Sequence, residues 1–392
     1  MGGMLAIFVF ALTLLAAVLV SELANRSVLS TAVMFLVAGF IAGHGVLGLY
    51  ALKADDTIVA SFAELALFSV LFTDGMRVST RDLLAAWHLP GRALLFGLPL
   101  TLLITAALAH WLVGLPWPLA FLLGAALSPT DPVFAAAIVG REEVPGRLRQ
   151  LLNIESGLND GLALPIVIAL LARVGAPQEF HLEAMLSELT LGIGIGVVVP
   201  WVAIVMERSP FFKAHRIYEP LHAFAMGLLI LSLSWMLRGN EFLAAFSGGV
   251  AVATLGPSVR DSFHPFGERL TELLKLAALL VFGSLISPGM LEVIPPRGYL
   301  FTLLALVVAR PVALALALLG SGLARREWVA AAWFGPKGFA SVFFGLLILQ
   351  SGAPRAEELF RLIALVITAS ILAHSSTDVP IAHWLQKEEP DP

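Results

Sequence analysis

Ser128-Pro129-Thr130-Asp131-Pro132 lies inside an apolar run that begins near Trp117, and Glu155-Ser156-Gly157-Leu158-Asn159-Asp160-Gly161 lies inside the next such run. Ionisable residues at membrane depth are costly to keep, which marks these two segments as functional candidates. Prolines 129 and 132 remove two backbone donors and disfavour helical geometry at the residue before each. A membrane helix entering at Trp117 is therefore expected to break at Thr130-Asp131 and to resume near Val133.

Composition carries the membrane reading outward to the rest of the chain. Of 392 residues, 58% are hydrophobic and 13% charged, and the mean hydropathy is +0.90, far too apolar for a soluble fold of this length. The fold class is an all-α polytopic membrane protein whose partner is the lipid bilayer. With no cysteine, disulfides, thiolate metal sites and cysteine nucleophiles are excluded. No basic tract or aromatic-basic interleaving points to nucleic acid, and no soluble protein partner is evident.

A span needs about 20 apolar residues. On that criterion the chain divides into thirteen transmembrane helices, roughly 4–21, 28–48, 57–76, 92–113, 117–139, 152–173, 184–206, 219–237, 240–256, 270–287, 299–321, 327–350 and 358–379. The first has no positive charge before it and no cleavage site after it, so it reads as a retained helix. Alternating the loops puts sixteen Lys and Arg on one side, Lys275 among them, and six on the other, with Arg310 and Lys337 inside spans. Because basic loops stay cytoplasmic, the N-terminus is expected outside and the C-terminus inside. Residues 1–385 read as a single transmembrane domain. The short tail 386–392 predicts no appended nucleotide-binding or gating domain.

Span twelve carries a second interruption, Gly335-Pro336-Lys337-Gly338. Spans five and twelve are an odd number of crossings apart, so they run in opposite directions. Broken helices at matching places in oppositely oriented halves point to inverted repeats with a site between them. Spans three to five are thus expected to be related to spans ten to twelve by a pseudo-two-fold axis in the membrane plane.

The ordered pair of segments resembles the signature of the monovalent cation:proton antiporters, specifically the sodium/proton exchanger branch, which carries Asn-Asp on the second helix. The resemblance extends over nearly the whole chain. It implies that the discontinuous spans five and twelve cross, and that a core of spans three to six and ten to thirteen moves against a scaffold. It also implies a homodimer in a bacterial or archaeal plasma membrane. The activity implied is secondary transport, with no cofactor and no enzymatic step: Na⁺ or Li⁺ exchanged for H⁺. A K⁺/H⁺ antiporter on the same scaffold is the nearest alternative, and a cation channel or a non-transporting sensor lies further off.

Within the second segment, Ser156 and Asp160 stand four residues apart and share one helix face. Hard cations take oxygen ligands, and the opened peptide at Thr130 can add a carbonyl, so Asp160, Ser156 and Thr130 form the expected sodium set. A carboxylate that holds either a proton or a cation is an exchanger by itself. The competing reading is a buried Asp160 that only bonds nearby backbone. Asn159, beside it, leaves one titrating carboxylate at the pair, which by resemblance favours electroneutral one-for-one exchange.

Asp131 follows the break, where the dipole of a resuming helix favours negative charge, so it reads either as a cap or as part of the ion site. Asp74, before Gly75 near the end of span three, matches by resemblance an acidic residue lining the inner approach; a solvated span end is the alternative. Glu64, nearer midspan, is by resemblance a packing feature, with a transport role the alternative. An unpaired charge in the bilayer is costly, so Glu155 and Arg310 each need a partner. The resemblance implies that they pair with each other as a structural ion pair.

Lys337 sits where the break leaves uncapped carbonyls, and its charge would offset the negative ends of two half-helices. Relatives often place arginine there, and lysine donates as a point charge instead. The histidines show no ligand spacing; most lie at span ends or in loops, His88, His215, His264 and His383 among them, and read as surface or interfacial, with pH sensing by cytoplasmic ones the alternative. Gly192-Ile193-Gly194-Ile195-Gly196 reads as small-residue helix packing rather than a phosphate loop.

Overall fold

The computed structural model describes residues 2–21, 30–50, 52, 56–77, 88–131, 144–175, 182–209, 211–212, 215 and 218–386, and every regular element among them is helical. In chain order these are α1 (Gly2–Leu19), α2 (Thr31–Phe40), α3 (Thr57–Arg77), α4 (Pro90–Val113), α5 (Trp117–Leu127), α6 (Gly146–Gly175) and α7 (Leu182–Glu207). There follow α8 (Glu219–Leu237), α9 (Glu241–Leu255), α10 (Pro257–Leu285), α11 (Pro296–Ala317), α12 (Arg325–Trp333), α13 (Phe339–Gln350) and α14 (Ala356–Gln386). Six of them, α4, α6, α7, α8, α11 and the Ala356–Thr377 part of α14, are long and apolar enough to cross a membrane.

Local chemistry explains where the helices start. Pro90, Pro257 and Pro296 each open a helix, where the missing N–H costs nothing. Ser30 caps α2 by accepting from the Val33 N–H at 3.2 Å, and Asn240 caps α9 through the Leu243 N–H at 2.8 Å. The glycine run on α7 lies against the start of α9, where a Cβ on Gly192 would stand 2.5 Å from the Asn240 carbonyl oxygen. That is the close approach small residues permit.

Both expected breaks are present. α5 stops at Leu127 and residues 128–131 are non-helical; α12 stops at Trp333 and α13 begins only at Phe339. The second half of span five, expected from about Val133, lies outside the described residues, as do Arg26, Lys53, Arg81, Arg141, Lys213, Arg216 and the tail from 387.

One core ties the broken helices to their neighbours. Phe35 on α2, Leu67 and Leu71 on α3, Leu122 and Leu123 on α5, Phe282 on α10, Phe301 on α11 and Phe344 on α13 are fully buried in one cluster. Phe8 on α1, Trp201 on α7 and Trp235 and Met236 on α8 point outward, as suits faces turned to acyl chains.

The sequence reading needs two corrections. Lys275, counted with the loops, lies inside α10 and is 6% exposed. The expected span ten, 270–287, already contained Lys275, and the helix that carries it begins earlier, at Pro257. His374 is no surface histidine: it is buried in α14. One fewer loop lysine leaves the charge asymmetry in place.

Candidate functional site

A helix that ends inside a protein leaves carbonyls at one end and N–H groups at the other without intrahelical partners. Here the two breaks supply each other. The Asp131 N–H donates to the Pro336 carbonyl at 2.9 Å, and the Phe339 N–H, first in α13, donates to Asp131 Oδ2 at 3.3 Å. Lys337 Nζ in turn reaches the Ser128 carbonyl at the end of α5, at 3.5 Å. Asp131 thus caps the half-helix of the other break, where the positive end of α13 favours its charge. Gly338 permits this approach, since a Cβ there would run into the Asp131 side chain.

α6 carries four buried polar residues, Glu155, Ser156, Asn159 and Asp160, of which Ser156 and Asn159 meet the first break. Ser156 Oγ donates to the Thr130 carbonyl at 2.5 Å, and Asn159 Nδ2 donates to Thr130 Oγ1 at 2.7 Å. Asn159 therefore holds the Thr130 hydroxyl through an amide N–H, which an ionised aspartate could not offer. Asp160 Oδ1 and Asn159 Oδ1 are buried with no hydrogen-bond partner among the described residues. A buried acceptor without a donor costs about 1–3 kcal/mol, and more if charged. A proton or a cation would relieve it. Thr130 keeps a second lone pair on its carbonyl oxygen beyond the one that accepts from Ser156.

A ring of fixed contacts braces the second break. Arg310 grips Glu155 with two bonds, 2.6 and 3.0 Å, and its Nη2 also donates to the Phe334 carbonyl at 3.0 Å, closing the C-terminal end of α12. Gly335 lies where a side chain would meet that guanidinium. His374 stacks on Trp333 with ring centroids 5.0 Å apart, and its two ring nitrogens lie against the Trp333 carbonyl at 3.1 Å and the Ser370 carbonyl at 2.8 Å. The Lys337 N–H donates to Ser370 Oγ at 2.8 Å. The carbonyls that end α12 are thus taken by Arg310 and His374, while the Lys337 ammonium serves the end of α5.

Asp74 is buried on α3 rather than solvated, 3.1 Å from Arg77 Nη1, whose other nitrogen reaches Glu268 of α10 at 3.0 Å. Thr73 and Thr271 share a hydroxyl contact of 2.9 Å just beside it. Glu64 accepts from the Trp235 indole at 2.8 Å, a packing contact. Sequence reasoning missed Lys275, whose Nζ stands 3.6 Å from Asp131 Oδ2. Asp74, Asp131 and Lys275 all lie within electrostatic reach of Asp160. A lysine within a run that also holds Leu270, Leu273, Leu274 and Leu276 was the available signal for its burial.

Residues 9–384 match the family model described as "Sodium/hydrogen exchanger, transmembrane". The chain belongs to this family. Among its sodium/hydrogen exchanger relatives is the K(+)/H(+) antiporter NhaP2 of Shewanella sp. (strain MR-4), 27% identical over 95% of this chain and 66% of that protein. The K(+)/H(+) antiporter NhaP of Alkalimonas amylolytica is 25% identical over 98% of this chain and 68% of its own length. The chain thus spans about two thirds of the length of these curated relatives. The sodium proton antiporter MjNhaP1 from Methanocaldococcus jannaschii superposes with a TM-score of 0.79 at 20% identity, over 99% of this chain and 100% of that one. That likeness establishes the exchanger fold, and family membership makes this an integral membrane protein.

Proposed function

We propose that this exchanger-family chain is a secondary transporter that trades a monovalent cation for protons, exposing one site alternately to each side of the membrane. The observation that carries the reading is the buried Asp160 carboxylate, with an oxygen unpartnered among the described residues, on the helix whose Ser156 holds the Thr130 carbonyl and whose Asn159 holds the Thr130 hydroxyl. Proton and cation compete for that carboxylate, with Ser156 Oγ and the Thr130 carbonyl as further cation ligands. Asp131 and Asp74 shape the field around it, and Glu155, Arg310 and Lys337 hold the breaks.

One titrating carboxylate at the Asn159-Asp160 pair favours electroneutral one-for-one exchange. Sodium, with lithium, is the cation the sequence signature favours. Potassium is the second reading, favoured by relatives named as K(+)/H(+) antiporters. The finer architecture proposed is thirteen crossings with the N-terminus outside and the C-terminus cytoplasmic. Spans five and twelve cross at the site, a core of spans three to six and ten to thirteen rocks against the rest, and the assembly is a homodimer.

Proteoliposomes loaded with a pH-sensitive dye test the reading. Imposed Na⁺, Li⁺ and K⁺ gradients should each be compared, and at least one should drive proton counterflow that Asp160→Asn abolishes. An amide cannot exchange a proton for a cation. Cation conductance without counterflow would make the protein a channel, and continued exchange by Asp160→Asn would remove Asp160 from the site.

A further inference from the structure

We propose that Lys275 is a positioning residue that sets the charge of the cation site, by neutralising Asp131 and so leaving Asp160 as the single carboxylate that proton and cation contest. This rests on the exchange reading above and deepens it. Lys275 is buried on α10, and its Nζ stands 3.6 Å from Asp131 Oδ2, the same oxygen that accepts the Phe339 N–H. Other charged groups within its electrostatic reach are Asp74, Arg77 and Glu272. Asp74 is already taken by Arg77 at 3.1 Å, which leaves Asp131 as the ion partner of Lys275.

The consequence follows from counting charge. Asp131 and Lys275 cancel, so the site without cargo carries the single negative charge of Asp160. One proton or one monovalent cation brings it to zero, and the site crosses the membrane with the same charge in either load. Without Lys275 the site would hold two negative charges and would bind a cation more tightly. Without Asp131 a buried ammonium would stand unpaired beside the site and repel it.

The test is a double-mutant cycle of exchange kinetics in proteoliposomes, using whichever of Na⁺, Li⁺ or K⁺ the unmodified protein exchanges best. Lys275→Met keeps the apolar stem and removes the charge. It should lower KM for the cation about tenfold, as expected of one nearby unit charge, while Asp131→Asn should raise it by about as much. The Asp131→Asn/Lys275→Met double variant should return KM to within about threefold of the original, and Lys275→Arg should leave it unchanged.

A merely structural pair would lower Vmax or the yield of folded protein in both single variants with KM unmoved, and that result overturns the inference. Lys275→Gln replaces the methionine variant if the latter does not reconstitute. If neither single variant reconstitutes while the double does, the pair serves folding alone and the inference fails. Unmodified protein that shows no exchange at all would instead overturn the functional reading, and this inference with it.

Discussion

The backbone N–H of Asp131 donates to the carbonyl of Pro336 at 2.9 Å, so the interruption in the fifth hydropathic span is hydrogen-bonded to the interruption in the twelfth. Neither break is a loose end. Each leaves groups that would be intolerable in lipid, and each satisfies groups left by the other. The same junction adjoins Thr130, whose carbonyl and hydroxyl are held by Ser156 and Asn159 of α6.

Gly338 makes that junction possible, because a Cβ there would occupy the space of the Asp131 side chain. Gly338→Ala should destabilise the fold by about 1–3 kcal/mol, the range for forced overpacking. The loss is measurable as a lowered midpoint of thermal unfolding in detergent. Gly146→Ala, where a Cβ meets nothing within 4 Å, should leave the midpoint unmoved. A midpoint equally insensitive to Gly338→Ala would mean that the breaks do not pack as described.

The Glu155–Arg310 pair should behave as architecture. Both residues are buried, and two hydrogen bonds plus a third to Phe334 fix the guanidinium. Removing one partner with Arg310→Ala strands a buried carboxylate at a cost of about 3–5 kcal/mol. Replacing both with apolar residues of similar volume, Glu155→Leu with Arg310→Met, should cost clearly less. Unfolding midpoints of the two variants decide the point: equal losses would mean that the charge pair is not the source of the effect.

Asn159→Asp replaces the amide that donates to Thr130 Oγ1 and places a second carboxylate next to Asp160. Two titrating groups can then bind two protons for each cation, and exchange should become sensitive to voltage. One uncompensated charge crossing the membrane is worth about 2.3 kcal/mol per 100 mV. A valinomycin-clamped potential should therefore change the exchange rate of the variant severalfold and leave the unmodified protein flat. Voltage-independent exchange in both would reject a stoichiometric role for Asn159.

Hydropathy and proline placement made most of the architecture legible. The two breaks follow local rules that favour interruption: Pro129 and Pro132, and the Gly-Pro-Lys-Gly run at 335–338, remove backbone donors within a few residues, whereas the isolated Pro165, Pro200, Pro265 and Pro380 leave their helices continuous. The shared face of Ser156 and Asp160 follows equally from helical periodicity. Lys275 and His374 both fell inside expected spans, but which partner each would meet there was not legible: Asp131 for Lys275 and the Trp333 carbonyl for His374 come from distant segments.

The sequence by itself determined the membrane class, the interrupted helices and the acidic and polar residues set beside them, because those follow from composition and from neighbours along the chain. Only the tertiary structure decided the pairings. That Asp131 caps α13, that Lys275 answers Asp131, that Asn159 holds Thr130 and that Arg310 and His374 close α12 are contacts between segments far apart in the chain. Each depends on which helix faces bury together, and no local periodicity encodes the distance between two charges brought together by packing.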